Sequence, residues 1–358
     1  MRKAGKGILL TVNILAACFL ILSYLSCYIS PAKFWTIAFF GLAYPYLLVT
    51  NLIFLIIWAV FRSRYIFISF IVIAFGWGHL QNFIQLFPKN TVKQDGLRIL
   101  SYNVQQFYSF FEQKDRTTPQ IIQFLVDQDP DIICMQEVKI QNLGPLRPER
   151  FKAEIPKINY YHFAHTSRYS GSVTFSKYPI VNLGEIRFVN SHNLVIYSDI
   201  KLGKDTVRVY NCHLQSNYIK PDEYSVIDSA RVTQRRKQIN EIKDIGTKLK
   251  RAFIKRAQQT DKVAAHIAES PYPVIICGDF NSTPVSYTYK TLRGDLKDSF
   301  VESGSGICST YRGRLPAFRI DYILHDDFFS ACNFSVKKIK LSDHYPITCV
   351  LERNSAKE

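Results

Sequence analysis

The stretch VIICGDFNSTP, residues 274–284, holds an unusual transition. Val274 to Cys277 form an apolar run bounded by turn-forming residues, which reads as a buried strand. The run meets Gly278, and Asp279 and Asn281 then stand two residues apart before Pro284. On a strand that ends in a turn, residues i and i+2 share a direction, so a carboxylate and an amide would face one small volume. Glycine at 278 leaves room for a close backbone approach. A carboxylate can hold or deprotonate a water, and an amide can donate to a phosphoryl oxygen without adding charge. The competing reading is a turn aspartate that caps nearby backbone amides.

The same grammar recurs along residues 97–353. LRILSYNV (97–104) is a strand ending on Asn103, and DIICMQEV (131–138) one ending on Glu137. Further strands are expected at 172–180, 193–200, 206–214, 272–280, 318–325 and 347–353. TPQIIQFLVDQDP (118–130) has helical spacing with a threonine start and a proline stop. Residues 230–270 read as helical with a break at Gly246. TVRVYNCHL carries His213, RIDYIL carries Asp321, and KLSDHYPI carries Asp343 and His344. Strand ends brought side by side form a shared rim, where rigid strands hold functional groups in place.

Each polar end has a bland and a chemical reading. Glu137 is either an exposed strand end or an oxygen ligand for a hard cation such as magnesium or manganese. Asn103 is a turn residue, or it completes that shell. His213 is a core histidine or a charge stabiliser. Asp343 and His344 are adjacent and point oppositely on extended backbone, so neither simply orients the other. Asp321, an acid in an apolar strand, is the natural partner for His344, because an unpaired charge there would be costly. Asp343 is then left to face a metal or the attacking water.

In order and local context, SYNV, MQEV, CHLQS, GDFNSTP, RIDYIL and SDHYPI resemble the motif series of the endonuclease/exonuclease/phosphatase superfamily, the deoxyribonuclease-I-like enzymes. The resemblance covers about residues 97–353 and implies a four-layer α/β sandwich, two packed mixed β-sheets flanked by helices. It implies hydrolysis of a P–O bond by metal-assisted in-line attack of water, with Mg2+ or Mn2+. Glu137 would be the principal metal ligand, with Asn103 beside it and Asp343 next to the metal. Asp279 would orient or deprotonate the water, and Asn281 would contact the phosphate. His213 and His344 would stabilise the pentacovalent phosphate, with Asp321 bracing His344. The general base is either Asp279 or the Asp321–His344 pair.

Residues 1–88 lie outside that resemblance. They contain no Asp or Glu and carry three apolar runs, at 8–30, 34–61 and 65–80. A bilayer core takes about 20 apolar residues, so the expectation is a bundle of about three transmembrane helices. A polar linker at 89–96 and a catalytic domain at 97–358 follow. A cleaved signal peptide is disfavoured, because further apolar runs follow the first. Arg2, Lys3, Lys6, Arg62 and Arg64 place the N-terminus and the 62–64 turn in the cytoplasm by the positive-inside rule. The catalytic domain then lies outside if the third run crosses, and inside if it does not. An anchor fused to such a domain looks like membrane-attached bacterial members, which implies the bacterial inner membrane.

The chain carries a formal charge of +16, of which +7 precedes residue 96. Such a surface favours anionic partners: a phosphate-ester substrate on a phospholipid headgroup or nucleic acid, and the lipid bilayer itself. No obligate protein partner is implied. The basic runs RRK (235–237) and KLKRAFIKR (248–256) read as a solvated helix face or one lying against headgroups. Arg168 and Lys177 are candidate substrate contacts. Eight cysteines without metal-ligand spacing read as small buried hydrophobes. A membrane-tethered phosphodiesterase or phosphatase uses both anchor and basic surface. A metal-dependent nuclease makes less use of the anchor, and a non-catalytic membrane scaffold on a hydrolase fold would make no use of the polar rim.

Overall fold

The structure is a computed structural model describing residues 3–86, 96–107, 117–139, 153–167, 170–217, 235–312 and 318–354. Residues 89–95 of the expected linker and Arg168 lie outside the described residues, as do the side chains of 235–237.

Strands β1 (Ile84–Gln85), β2 (Leu97–Asn103), β3 (Ile132–Lys139), β4 (Tyr160–Ser167), β5 (Ser170–Ser176), β6 (Ile180–Arg187) and β7 (Leu194–Leu202) come first. β8 (Asp205–His213), β9 (Val274–Asp279), β10 (Lys297–Asp298), β11 (Gly306–Ile307), β12 (Asp321–His325), β13 (Phe329–Val336) and β14 (Ile347–Arg353) follow. One six-stranded sheet has the order β10-β12-β9-β8-β7-β6 and the other β13-β14-β2-β3-β5-β4. Each is mixed: β8–β9 and β2–β3 pair in parallel, and their other neighbours run antiparallel.

Alternation explains the layers. Ile99, Cys134, Ile275 and Cys277 point into the core between the sheets. Their neighbours Leu100, Ile133 and Met135 face the opposite way, into the cluster shared with Ile121 and Leu125 of helix Thr118–Gln128. Val274 and Ile276 pack with Val263 of helix Arg235–Ala268 and with Leu292 of helix Tyr287–Arg293. Central strands are therefore buried on both faces and read as continuous apolar runs. The result is the expected helix–sheet–sheet–helix arrangement. Asn211 and Gln136 cross between the sheets: Gln136 Nε2 donates to Asn211 Oδ1 at 2.8 Å, and Asn211 Nδ2 to the Val173 carbonyl at 2.8 Å.

Two expectations need correction. Helix Arg235–Ala268 runs through Gly246 without a break. A helical glycine costs only about 1 kcal/mol, and Ile245, Leu249 and Phe253 beside it are buried in a common cluster. The second apolar run is not one helix but two, Ile37–Leu42 and Tyr44–Val60, because Pro45 lies in the first turn of the second. The third divides at Gly76 into Ile66–Phe75 and Trp77–Gln81. Among the described residues, one helix, Ala4–Leu25, is long and apolar enough to cross a membrane.

The N-terminal helices pack polar groups inward. Asn13, Asn51, Ser69 and Trp58 are all fully buried. Asn13 Nδ2 donates to Ser69 Oγ at 2.7 Å, Ser69 Oγ to Asn51 Oδ1 at 3.1 Å, and Trp58 Nε1 to Asn13 Oδ1 at 2.8 Å. Their outer faces expose large apolar side chains, among them Val12, Phe19, Ile56, Val60, Phe70 and Phe75. The bundle also docks on the α/β domain: β1 pairs with β11, and the Phe39 and Phe253 rings meet edge-on at 5.1 Å.

Candidate active site

All eight sequence-derived site residues gather at one end of the two sheets. β8 and β9 pair so that His213 lies beside Asp279, and β9 and β12 pair so that Asp279 lies beside Asp321. From the other sheet, β2 and β3 deliver Asn103 and Glu137. Asn103 Nδ2 joins the sheets, donating to Glu137 Oε1 at 3.2 Å and to Asp279 Oδ2 at 3.0 Å.

Local backbone chemistry aims these groups. Gly278 has φ +132°, and a Cβ there would lie 2.0 Å from the Cys212 carbonyl oxygen, so glycine is required for β9 to approach β8. Glu137 sits at a register shift between β3 and β5 with φ +53°, a conformation rare for a non-glycine residue. The bulge turns its carboxylate out of the alternation. Asn281 also has positive φ, so it reaches Asp279 through a turn rather than along an extended strand. Its backbone N–H donates to Asp279 Oδ1 at 2.8 Å, and its Nδ2 to Asp279 Oδ2 and the Leu214 carbonyl, both at 3.0 Å. The amide protons expected to meet a phosphate thus hold Asp279 in this structure.

Electrostatics differentiate the acids. Burial raises the Glu137 pKa, but His213, with Nε2 3.3 Å from Oε1, outweighs it and holds the group down at about 2. Burial would depress His213, yet Glu137 raises it. His344 is likewise raised against its burial, chiefly by Asp321, whose carboxylate lies 2.9 Å from Nδ1. Asp279 is raised by burial, with Asp321 adding and His344 opposing. Asp343 is pushed up to about 6 by burial, with Glu137 and Asp279 adding repulsion.

Asp279, Asp321 and His344 form a cluster whose potential ligand atoms lie within 4.8 Å of one another. Asp321 and His344 Nδ1 are already bonded to each other, so this cluster suits proton handling better than metal binding. Outside that cluster, the carboxylates lining the cavity among the described residues are Glu137 and Asp343. Carboxylate oxygens suit magnesium or manganese, and those of Glu137 and Asp343 border the cavity, so the residues fit such an ion.

Several functional neighbours escaped the sequence reading. Arg256 belongs to a basic run that reads as a solvated face or one against headgroups, but it is buried beneath the site. Its guanidinium donates to the Gln215 carbonyl at 2.8 Å and to the Asn281 carbonyl, and burial pulls its pKa down to about 10. Ser342 Oγ donates to the Asn103 carbonyl at 2.8 Å, and the Tyr311 ring packs edge-on to His344 at 5.2 Å. Lys177 is held by Asp129 at 2.8 Å and Asp131 at 3.0 Å, away from the role of a substrate contact.

The profile of the endonuclease/exonuclease/phosphatase family matches residues 100–344, and the chain belongs to that family. A domain family of unknown function matches residues 6–83. A comparison with curated protein sequences finds no significant match. Among solved structures, an endonuclease/exonuclease/phosphatase from Beutenbergia cavernae is similar with 16% identity and a TM-score of 0.54, covering 74% of this chain and 73% of that one. A mannosyl-6-phosphatase from Bacteroides thetaiotaomicron has 16% identity and a TM-score of 0.51, with coverage of 72% and 99%. The human Nocturnin catalytic domain has 16% identity and a TM-score of 0.50, with coverage of 72% and 95%. At this identity the likeness establishes the fold.

Proposed function

We propose that the protein is a membrane-anchored, divalent-metal-dependent phosphodiesterase or phosphatase. The observation that carries the reading is the convergence of Glu137 and Asp279 on one amide, Asn103 Nδ2, with His213 and His344 beside them, whose pKa values the neighbouring acids raise. Hydrolysis of a phosphoester gathers negative charge at phosphorus, and this end of the fold is built to receive it.

Glu137 and Asp343 would hold the cation, which would supply Lewis-acid polarisation of a phosphoryl oxygen. Asp279, oriented by Asn103 and Asn281 and made more basic by burial, takes the proton of the attacking water. His213 and His344 donate toward the phosphoryl oxygens. Asp321 fixes the His344 tautomer by accepting from Nδ1, which leaves Nε2 facing inward, 3.7 Å from Asp279 Oδ2.

Membrane attachment is supported by the inverted pattern of the N-terminal helices. Polar side chains are hydrogen-bonded inside and apolar ones are exposed outside, as lipid requires. Lys6 lies 5.3 Å over the Tyr65 ring at one end of the bundle, whereas Tyr24 at the other end donates to the Val72 carbonyl. The basic end therefore lies opposite the end that meets the α/β domain, which by the positive-inside rule supports a catalytic domain outside the cytoplasm of a bacterial cell.

The test is hydrolysis of bis-p-nitrophenyl phosphate with magnesium or manganese by the full-length protein. Asp279→Ala and His344→Ala are each expected to lose about 100- to 1000-fold in rate while retaining the folded state. Undiminished turnover in either variant would remove the assignment.

A further inference from the structure

A cavity of about 1070 Å³ is lined both by the catalytic cluster and by apolar side chains from two other segments. Glu137, His213, Asp279, Asp343 and His344 line one part. Ile245, Leu249 and Phe253, from helix Arg235–Ala268, line another. Ala38 and Leu42, from helix Ile37–Leu42, complete that apolar part together with Pro31 and Ser26. Two segments separated by about two hundred positions thus enclose one space, and one of them lies outside the family's catalytic domain.

The enclosure is a packed joint. Ala38, Phe39 and Leu42 pack against the buried cluster of Ile245, Leu249 and Phe253. Ser26 Oγ donates to the Val285 carbonyl at 3.3 Å, and Val285 is buried among the N-terminal helices. Gly41 lets the two backbones meet, because a Cβ there would lie 2.5 Å from the Val285 oxygen. Val285 closes the same turn that carries Asp279 and Asn281. The N-terminal segment therefore borders the reacting groups as well as the lipid-facing surface.

A largely apolar wall, with Lys248 at its side, beside an end that carries histidines and carboxylates matches one kind of molecule. A phosphate belongs at the polar end and an alkyl chain along the wall, where each methylene leaves water. A nucleic-acid strand has no alkyl chain to lie along Leu42 and Leu249. Resting on the phosphoester-hydrolase reading above, we propose that the N-terminal segment forms one wall of the substrate site, and that the substrate is a membrane lipid bearing a phosphoester. Its phosphate lies at the Glu137–His344 cluster and its hydrocarbon chain runs along the seam where Ala38–Leu42 meets Ile245–Phe253.

The experiment uses full-length protein in amphipol, with empty amphipol as blank, and ethyl, butyl and octyl p-nitrophenyl phosphodiesters below their micellar range. Complete burial is worth about fourfold per methylene, so kcat/KM is expected to rise at least tenfold from ethyl to octyl. Leu42→Trp, or Phe253→Trp if the first does not fold, is expected to flatten that series by filling the wall. In parallel, calorimetry reads the cavity without turnover, with octylphosphonate binding at least tenfold tighter than ethylphosphonate. A flat series with the ethyl ester still hydrolysed overturns the lipid assignment and leaves the hydrolase reading standing. So does cleavage of single-stranded DNA in preference to every ester. A rising series that neither tryptophan flattens overturns the placement of the chain. Failure to hydrolyse any phosphoester overturns the reading beneath it, and equal phosphonate affinities overturn the wall itself.

Discussion

Asp321 and Asp279 are direct cross-strand partners where β12 runs antiparallel to β9, and His344 spans them. Like charges opposite one another on a sheet repel, so the pair persists because an imidazolium lies between them. Nδ1 lies 2.9 Å from Asp321, and Nε2 lies 3.7 Å from Asp279. Asp321→Asn removes the acceptor that fixes the tautomer and raises the His344 pKa. The expected loss in kcat is about 100- to 10,000-fold, the range for removing a carboxylate that orients a catalytic histidine, with KM little changed. The pH–rate limb governed by His344 should also move to lower pH. Steady-state kinetics across pH reads both effects, and an unmoved limb would show that Asp321 only supports the fold.

Glu137 is the acid held most firmly ionised in the site, and it faces the cavity with Asp343. Magnesium or manganese at about 100 times its Kd should stabilise the folded protein by about 2.7 kcal/mol. Glu137→Gln removes a charged ligand and should abolish most of that shift. Thermal unfolding with and without the ion, repeated after chelation, measures it independently of turnover. Equal shifts in the two proteins would place the ion elsewhere.

Much of this site is legible in the chain because strand ends are local features. Asn103, Glu137, His213, Asp279 and Asp321 each terminate or begin an apolar run that alternation and turn residues already mark. What joins them is not local. Nothing in KLKRAFIKR distinguishes Arg256 from its solvated neighbours, because its burial depends on the Asn281 and Gln215 carbonyls of other segments. Gln136 and Asn211 sit within apolar strands, and only the stacking of two sheets makes them partners. Extended alternation also gives the wrong account of Asn281, which reaches Asp279 by positive φ. Strands β4, β6 and β13 fall outside the strands expected from sequence for a related reason: YYHFAHTS, IVNLGEIR and FSACNFSV mix polar residues into both faces.

Glu302 offers a test away from the site. Burial raises its pKa, but His325 and the Ala331 N–H outweigh that and hold it below the usual carboxylate range. Its Oε2 lies 2.9 Å from both His325 Nε2 and the Ala331 nitrogen. A depressed pKa contributes stability that is present above the unfolded value of about 4.3. That contribution is lost as pH falls through the folded value. Glu302→Gln should therefore cost about 1 kcal/mol at neutral pH, and the gap from the unmodified protein should close in acid. Chemical denaturation at several pH values checks the sign, and a gap that widens in acid would contradict it.

Arg319 ties the N-terminal helices to the α/β domain. It is fully buried, with Nη1 donating to the Asn82 carbonyl at 2.8 Å and Nη2 paired to Asp298. Asp298 in turn caps the helix Ser299–Ser303 and accepts from the Tyr289 hydroxyl at 2.6 Å. The guanidinium also lies 4.6 Å from the Phe300 ring centroid and 4.7 Å from that of Tyr322. Arg319→Met leaves Asp298 buried without its countercharge, and removing one member of a buried pair costs about 3–5 kcal/mol. Replacing both partners relieves that penalty, so Asp298→Asn combined with Arg319→Met should be more stable than Arg319→Met alone. Thermal unfolding of the full-length single and double variants measures the coupling. Additive losses would mean that the pair is held by packing against Phe300 and Tyr322 rather than by charge.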